Sequence, residues 1–200
     1  MINIINTGIG NFNSIHNMIK RINLTSNMTS SYDEVSKSKF IILPGVGSFD
    51  KSIIALRELK LHSAITNAIN NNAKLLGICV GMQMMFNNSE EGKEDGLSLI
   101  DGKVIKFDSS LNLPIPHMGW NKVQIKKKNN LFSDQKFERF YFAHSYYCSC
   151  KNKEDIISTT NYGINFASAV NKKNIYGFQF HPEKSHEYGK NILNNLFSKC

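Results

Sequence analysis

At 200 residues, 41% hydrophobic and 20% charged, the chain has the balance of a soluble globular protein and the length of a single domain, 1–200, with one sizeable core. No stretch approaches the ~20 apolar residues of a membrane span, and no basic flank leads into an apolar run at the start, which excludes a membrane role and predicts a cytoplasmic protein. The net charge of +8 raises nucleic acid as a partner. The lysines are scattered, however, apart from the run Lys126-Lys127-Lys128 expected at a hairpin tip, and no recognition-helix or single-strand-binding motif accompanies them.

In chain order, Ile2 to Ile5 reads as a first strand, followed by the loop Asn6-Thr7-Gly8-Ile9-Gly10-Asn11. Ile15, Met18, Ile19 and Ile22 then recur at helical spacing. The loop holds only G-x-G, a weak phosphate signal, and a tight strand-to-helix turn explains it as well. Lys39 to Leu43 is the next strand and feeds Pro44-Gly45-Val46-Gly47. Ile53, Ile54, Leu56 and Leu59 mark one helix, and Ile65, Ala68 and Ile69 another.

The stretch from Lys74 to Gln83 joins a short apolar strand to a helix, Met82 to Phe86, through Gly77-x-Cys79-x-Gly81. This is the nucleophile-elbow pattern with sulfur in place of oxygen, the glycines giving room in a tight turn. Cys79 would stand at a helix N-terminus, where the dipole favours the thiolate; a buried core cysteine beside incidental glycines fits the stretch equally. An elbow supplies one oxyanion donor from the residue after the nucleophile, Val80, and needs a second from a neighbouring strand's loop. Val46, flanked by Gly45 and Gly47 that would let its peptide rotate, fits that need, and a plain glycine-rich turn is the alternative.

Residues 87–96 are polar and acidic, the pattern of a surface loop. From Gly102 to Val170 the chain is mostly short β segments: Lys103 to Phe107, Trp120 to Ile125, Phe140 to Tyr147, Ile156 to Thr159 and Phe166 to Val170. These predict an antiparallel extension on a parallel sheet. Cys148 and Cys150 face the same side of a strand, but with Cys79 and Cys200 they complete no zinc pattern, and reduced thiols are the simpler reading. Ile175 to Phe180 is a strand that ends in His181-Pro182-Glu183, and a closing helix starts near His186, burying Ile192, Leu193, Leu196 and Phe197.

A catalytic thiol needs a base and the base an orienter. In extended chain, His181 and Glu183 project to the same side, so His181 can take the Cys79 proton and Glu183 can hold the imidazole. Alone, His-Pro-Glu is more simply a surface turn; the elbow and the strand end together favour a triad. His144 is a second conceivable base but has no acid near it in sequence.

Gly77-Ile78-Cys79-Val80-Gly81-Met82-Gln83 with His181-Pro182-Glu183 resembles the class I glutamine amidotransferases. The segments Pro44 to Phe49, Pro116 to Asn121, Tyr141 to Tyr147 and Gln179 to Ser185 narrow the resemblance to the glutaminase subunits of imidazole glycerol phosphate synthase, over essentially the whole chain. The resemblance implies an α/β fold with a mostly parallel central sheet flanked by helices. It implies hydrolysis of glutamine to glutamate and ammonia by Cys79, His181 and Glu183, with no metal or organic cofactor. It implies glutamine contacts at Gly47, Gln83, Glu91, Ser145 and Tyr146, though on pattern alone Gln83 is equally a helix surface residue and Glu91 part of an acidic loop. It places Asn11, Trp120, Tyr141 and Lys184 where a (β/α)₈-barrel cyclase would dock to form a heterodimer and receive the ammonia; Trp120 is otherwise a core or surface anchor. One departure stands out: an acidic residue and an aromatic are usual where this chain has Asn6 and Thr7. It keeps open a paralogous subunit that feeds a surface-sugar amidination synthase. A related Cys-His hydrolase and a structural subunit with a vestigial site are the further alternatives.

Overall fold

A computed structural model describes residues 1–127, 129–132 and 137–198. Lys128, expected at a hairpin tip, and Cys200 lie outside the described residues. The strands are β1 (Ile2–Ile5), β2 (Ser26–Thr29), β3 (Phe40–Leu43), β4 (Lys74–Ile78), β5 (Asn88–Ser89), β6 (Gly102–Lys106), β7 (His117–Ile125), β8 (Phe137–His144), β9 (Tyr146–Cys150), β10 (Ile156–Tyr162), β11 (Ile164–Lys172) and β12 (Ile175–Phe178). The helices are α1 (Phe12–Arg21), α2 (Tyr32–Ser36), α3 (Phe49–Glu58), α4 (Leu61–Asn70), α5 (Val80–Gln83) and α6 (His186–Ser198).

Nine strands form one sheet in the order β2-β1-β3-β4-β12-β11-β10-β7-β8. The half from β2 to β12 is parallel, and β11, β10, β7 and β8 extend it antiparallel, as the sequence pattern predicts. β1, β3 and β4 read as near-continuous apolar runs because helices cover both faces of a parallel sheet. Ile4, Ile41, Ile42 and Leu75 are fully buried there. A smaller sheet, β5-β6-β9, packs beside the antiparallel half.

Three sequence expectations are modified. The run Phe140 to Tyr147 is two strands: the chain breaks at Ser145, so that β8 pairs with β7 and β9 pairs with β6. The helix expected over Met82 to Phe86 is the single turn α5, and the chain leaves it as a turn at Met84. Ile54 and Leu59 are partly exposed; Phe49, Ser52, Ile53 and Leu56 make the buried face of α3. β2 and α2 have no counterpart among the expected elements.

The return of the chain after the β extension is what builds the site. β12 inserts against β4 in parallel register, Gly177 opposite Gly77 and Phe178 opposite Ile78, and the Cys79 N–H donates to the Phe178 carbonyl at 2.7 Å. Cys79 and the segment from Gln179 to Glu183 therefore leave the same sheet edge from adjacent strands. That edge is the carboxyl end of the parallel strands, the usual ligand side of such sheets.

Glycine makes the elbow possible by contact. A Cβ on Gly81 would lie 1.9 Å from the Leu43 carbonyl oxygen, one on Gly45 2.2 Å from the Gly81 nitrogen, and one on Gly77 2.6 Å from the Gly81 oxygen. None of these neighbours is a flexible side-chain end, so relief requires backbone movement. Gly81→Ala is expected to cost about 1–3 kcal/mol through overpacking, read as a lower urea midpoint at unchanged m value. A midpoint equal to wild type would show that the two turns are not in enforced contact.

Candidate active site

Cys79 stands between β4 and α5 at φ 55° and ψ −113°, a backbone conformation that a residue with a Cβ adopts only under strain. The surrounding glycine contacts hold it there. Because α5 is only one turn long and buried, little helix dipole acts on the sulfur; the local charges come from side chains.

His181 follows β12 and is buried. Its N–H donates to the Tyr141 carbonyl at 2.8 Å. Ser185 Oγ donates to the His181 carbonyl at 2.6 Å and accepts the Tyr141 N–H at 3.0 Å. The chain is not extended here as expected: Pro182–Lys184 is a 3₁₀ turn, with proline at its first position where no N–H is needed, and it is this turn that folds Glu183 back so that its Oε1 meets His181 Nδ1 at 2.8 Å. With Nδ1 spent on Glu183, Nε2 is the nitrogen left to face Cys79. Burial alone would lower the His181 pKa, but the Cys79 charge and hydrogen bond, together with the Glu183 hydrogen bond and charge, outweigh it and push the value up to about 10. The His181 imidazole thus holds its proton at neutral pH.

His144 is different in kind. Its Nδ1 lies 2.6 Å from the Tyr146 carbonyl and its Nε2 3.0 Å from His117 Nδ1. A carbonyl only accepts, so His144 Nδ1 carries the proton and Nε2 accepts one from His117. His117 Nε2 then accepts from Asn121 Nδ2 at 3.2 Å, while the same amide donates to the Asn161 carbonyl at 3.0 Å. Burial pushes His117 down to about 4 and, as the largest influence, His144 down to about 3. Both are neutral in the fold and neither has a free nitrogen for general-base work. The segment Pro116 to Asn121 contains both residues, four apart and so on one face of β7, which is the only sign of their pairing that the sequence carries.

Val46, Gly47, Cys79, Val80, Gln83, Glu91, Ser145, Tyr146, His181 and Lys184 line one cleft of about 300 Å³, so every residue expected to hold glutamine or its oxyanion faces the same space. A Cβ on Gly47, at φ 92°, would meet only an ordinary 3.8 Å contact with Ile9, whereas Gly45 is locked against the elbow; the rotational freedom expected on both sides of Val46 is confined to one. The acidic loop is drawn inward. Glu91 Oε2 accepts the Phe49 N–H at 3.1 Å, and the Asp50 carboxylate accepts the N–H groups of Lys93 and Glu94 at 3.0–3.1 Å. Desolvation raises the Glu91 pKa. Gln83, far from a helix surface residue, is fully enclosed and donates Nε2 to the Tyr146 carbonyl at 3.0 Å.

At the mouth, the Lys184 ammonium sits 5.7 Å from the Tyr141 ring centre, and Trp120 stacks on His186 at 5.5 Å. Asn11 immediately precedes α1, which packs against the Pro182–Lys184 turn. Met118 and Trp120 are exposed beside them. Asn6, at the departure noted above, is used locally: its Oδ1 accepts the Gly8 N–H at 3.0 Å and closes the loop on itself. Cys148 and Cys150 lie outside the cleft, and burial raises both thiols, Cys150 to about 12.

Residues 3–200 match the family described as Glutamine amidotransferase class-I. The chain belongs to that family. It is 47% identical to imidazole glycerol phosphate synthase subunit HisH 2 of Methanococcus maripaludis, covering 100% of each chain. It is 43% identical to subunit HisH of Leptospira borgpetersenii, covering 99% of this chain and all of that one. In fold it matches the solved structure of PurLQS from Thermotoga maritima, with a TM-score of 0.77 at 17% identity over 99% of this chain and 97% of that one. Among the described residues no helix is long and apolar enough to cross a membrane.

The neutral histidine pair of this amidotransferase sets a pH dependence. Unfolded, each imidazole takes a proton near 6.5; folded, they resist until about 4 and about 3. The unfolded state therefore binds more protons in between, and stability falls as pH drops from about 6.5 toward 4. Urea midpoints measured across that window are expected to decline, and His144→Gln to flatten the decline. A slope unchanged by the substitution would show that His144 is not the group responsible.

Proposed function

We propose that this glutamine amidotransferase is the glutaminase subunit of an imidazole glycerol phosphate synthase, a lyase-type complex of histidine biosynthesis, and that residues 1–200 act as one domain in the cytoplasm. The observation that carries the chemistry is the His181–Glu183 contact of 2.8 Å beside a cysteine held at φ 55° in the same cleft. The Cys79 thiolate attacks the side-chain amide carbon of glutamine. The N–H groups of Val46 and Val80 receive the tetrahedral oxyanion. His181 gives its Nε2 proton to the leaving ammonia, and a γ-glutamyl thioester remains. His181, now neutral, deprotonates a water that attacks the thioester; glutamate leaves and the thiolate returns.

Glu183 fixes the imidazole and stabilises its charged form without taking the proton. Gln83, Glu91, Gly47, Ser145 and Tyr146 hold the amino-acid end of the substrate. Both Nε2 protons of Gln83 are spent within the protein, on the Tyr146 carbonyl and on Gln179 Oε1, so Gln83 offers a ligand its Oε1, an acceptor suited to the α-ammonium. Asn11, Trp120, Tyr141 and Lys184 form the face on which a (β/α)₈-barrel cyclase docks, and the ammonia passes to it directly.

Cys79→Ser is expected to abolish thioester formation, trapped with labelled glutamine and read by mass spectrometry, in a protein that still folds. Glu183→Gln should lower kcat by at most ~10⁴, the loss seen for an orienting carboxylate. A folded Cys79→Ser protein with wild-type turnover would end this reading.

Because Gly47 leaves one side of the Val46 peptide free to reorient, the isolated chain is expected to be a poor glutaminase whose oxyanion hole is completed on docking. Steady-state kinetics alone and with a saturating cyclase subunit should show activation of about 10²–10³ or more, mainly in kcat. Full activity without the partner would show the hole to be preformed. Turnover of the phosphoribulosyl intermediate in the coupled assay separates the histidine-pathway acceptor from a surface-sugar one.

A further inference from the structure

Gln179, between β12 and His181, is completely buried and has no part in the triad. Its Nε2 lies 3.9 Å from Cys79 Sγ, within hydrogen-bonding range of sulfur, and its Oε1 lies 3.1 Å from Gln83 Nε2. Amide orientations are usually a matter of assignment. Here the chemistry decides, because the network ends on a backbone carbonyl. The Tyr146 carbonyl can only accept, so the Gln83 atom 3.0 Å from it is the NH₂. That same NH₂ faces Gln179 and must meet an acceptor there, which makes the near atom Oε1. The other end of the Gln179 amide, turned to Cys79, is therefore a donor.

The Tyr146 carbonyl is itself held from the opposite side. It takes the His144 Nδ1 proton, and His144 takes one from His117, which takes one from Asn121. All of these donors are neutral, and their direction is set independently at the far end by the Asn161 carbonyl. The relay from β7 thus ends on the Tyr146 carbonyl, which accepts from His144 on one side and from Gln83 on the other, and it holds in place the acceptor from which the Gln83 and Gln179 amides take their direction.

We propose that Gln179 is a further catalytic residue: its side-chain N–H donates to the Cys79 sulfur, favours the thiolate, and steadies it again as it is expelled from the acyl-enzyme, with Gln83 and the Tyr146 carbonyl fixing the direction of the donor and the Asn121–His117–His144 relay holding that carbonyl in place. A hydrogen bond to the charged form of a group favours that form, and bonds to charged acceptors are the stronger ones. The mechanistic half of this statement rests on the glutaminase reading above. The thiolate half does not, since it concerns only Cys79 and its neighbours.

The test measures the two halves separately in Gln179→Leu and Gln179→Glu. The rate of Cys79 alkylation by iodoacetamide, followed on the Cys79 peptide by mass spectrometry, is recorded against pH. The midpoint of the profile is expected to rise by about one pH unit in Gln179→Leu, the scale of a lost hydrogen bond to a charged group. It should rise further in Gln179→Glu, which keeps the shape and places a carboxylate against the sulfur. With glutamine, kcat should fall about tenfold and KM change little, as for an interaction with the reacting atom and not with the substrate. A folded variant of either kind with the wild-type alkylation profile overturns the proposal, because a packing role alone does not move that midpoint. A shifted midpoint in a protein that never turns over glutamine would support the proposal for the thiolate while removing the glutaminase reading. Should neither variant fold, the wild-type protein decides. The Gln179 side-chain NH₂ resonances are expected to titrate with Cys79 and to move on its alkylation, and resonances that stay in place refute the contact.

Discussion

Everything at the active edge depends on one close approach: the backbone of Gly81 against the carbonyl of Leu43, with no room for a single added carbon between them. That contact presses the turn after β4 into the turn after β3. It holds Cys79 in a conformation it would not choose, and it brings the peptide of Val46 to the same cleft as the sulfur. Strain at a functional residue persists only when its surroundings over-determine it. Here the determining elements are two buried parallel strands in register, β3 and β4, and the glycines where they end. The strained cysteine and the Val46 peptide are thus brought together by one packing event.

Three buried histidines show how partners, and not burial, decide what an imidazole does. His117, His144 and His181 are all enclosed, and burial lowers the pKa of each. His181 alone has a thiol on one side and a carboxylate on the other, so its charge is held to about 10. The other two meet carbonyl, amide and imidazole, and stay neutral. Stability follows in opposite directions: the His181 contribution is present below about 6.5 and lost as pH rises through about 10, while the neutral pair contributes above about 6.5 and is lost as pH falls. The fold is therefore best served near neutrality.

Much of this was legible from the chain. The parallel strands announced themselves as apolar runs, and the elbow and His181-Pro182-Glu183 as local patterns whose chemistry needs those spacings. What was missed has physical reasons. β2 is Ser-Asn-Met-Thr at the edge of the sheet, too polar and too little buried to show a period. α2 carried a signal that went unread: Ser31 caps the Glu34 N–H in the S-x-x-E pattern of a helix start. The break at Ser145 is a change of sheet, which no periodicity within the run Phe140 to Tyr147 records. Gln179, His117 and Asn121 could be quoted from the sequence but not interpreted, because their roles lie in contacts between strands far apart in the chain. A hydrogen-bond direction exists only once the carbonyl that anchors it has been placed.

The acidic loop shows how the two sides of the cleft, at Glu91 and at Val46, are joined. Glu91 spends one carboxylate oxygen on the Phe49 N–H, the first helical residue after the Val46–Gly47 turn. Asp50, the next residue, holds the backbone of the loop that carries Glu91, and a side chain at Gly92 would displace the Asp50 carboxylate from those bonds. Arg57, at the other end of α3, closes the clamp on Glu94 and on the Asp95 carbonyl. Start and end of one helix thus grip one loop. Glu91, which lines the cleft, is thereby tied to the first turn of α3, two residues beyond Gly47, so the loop and the turn that carries Val46 cannot move independently of that helix.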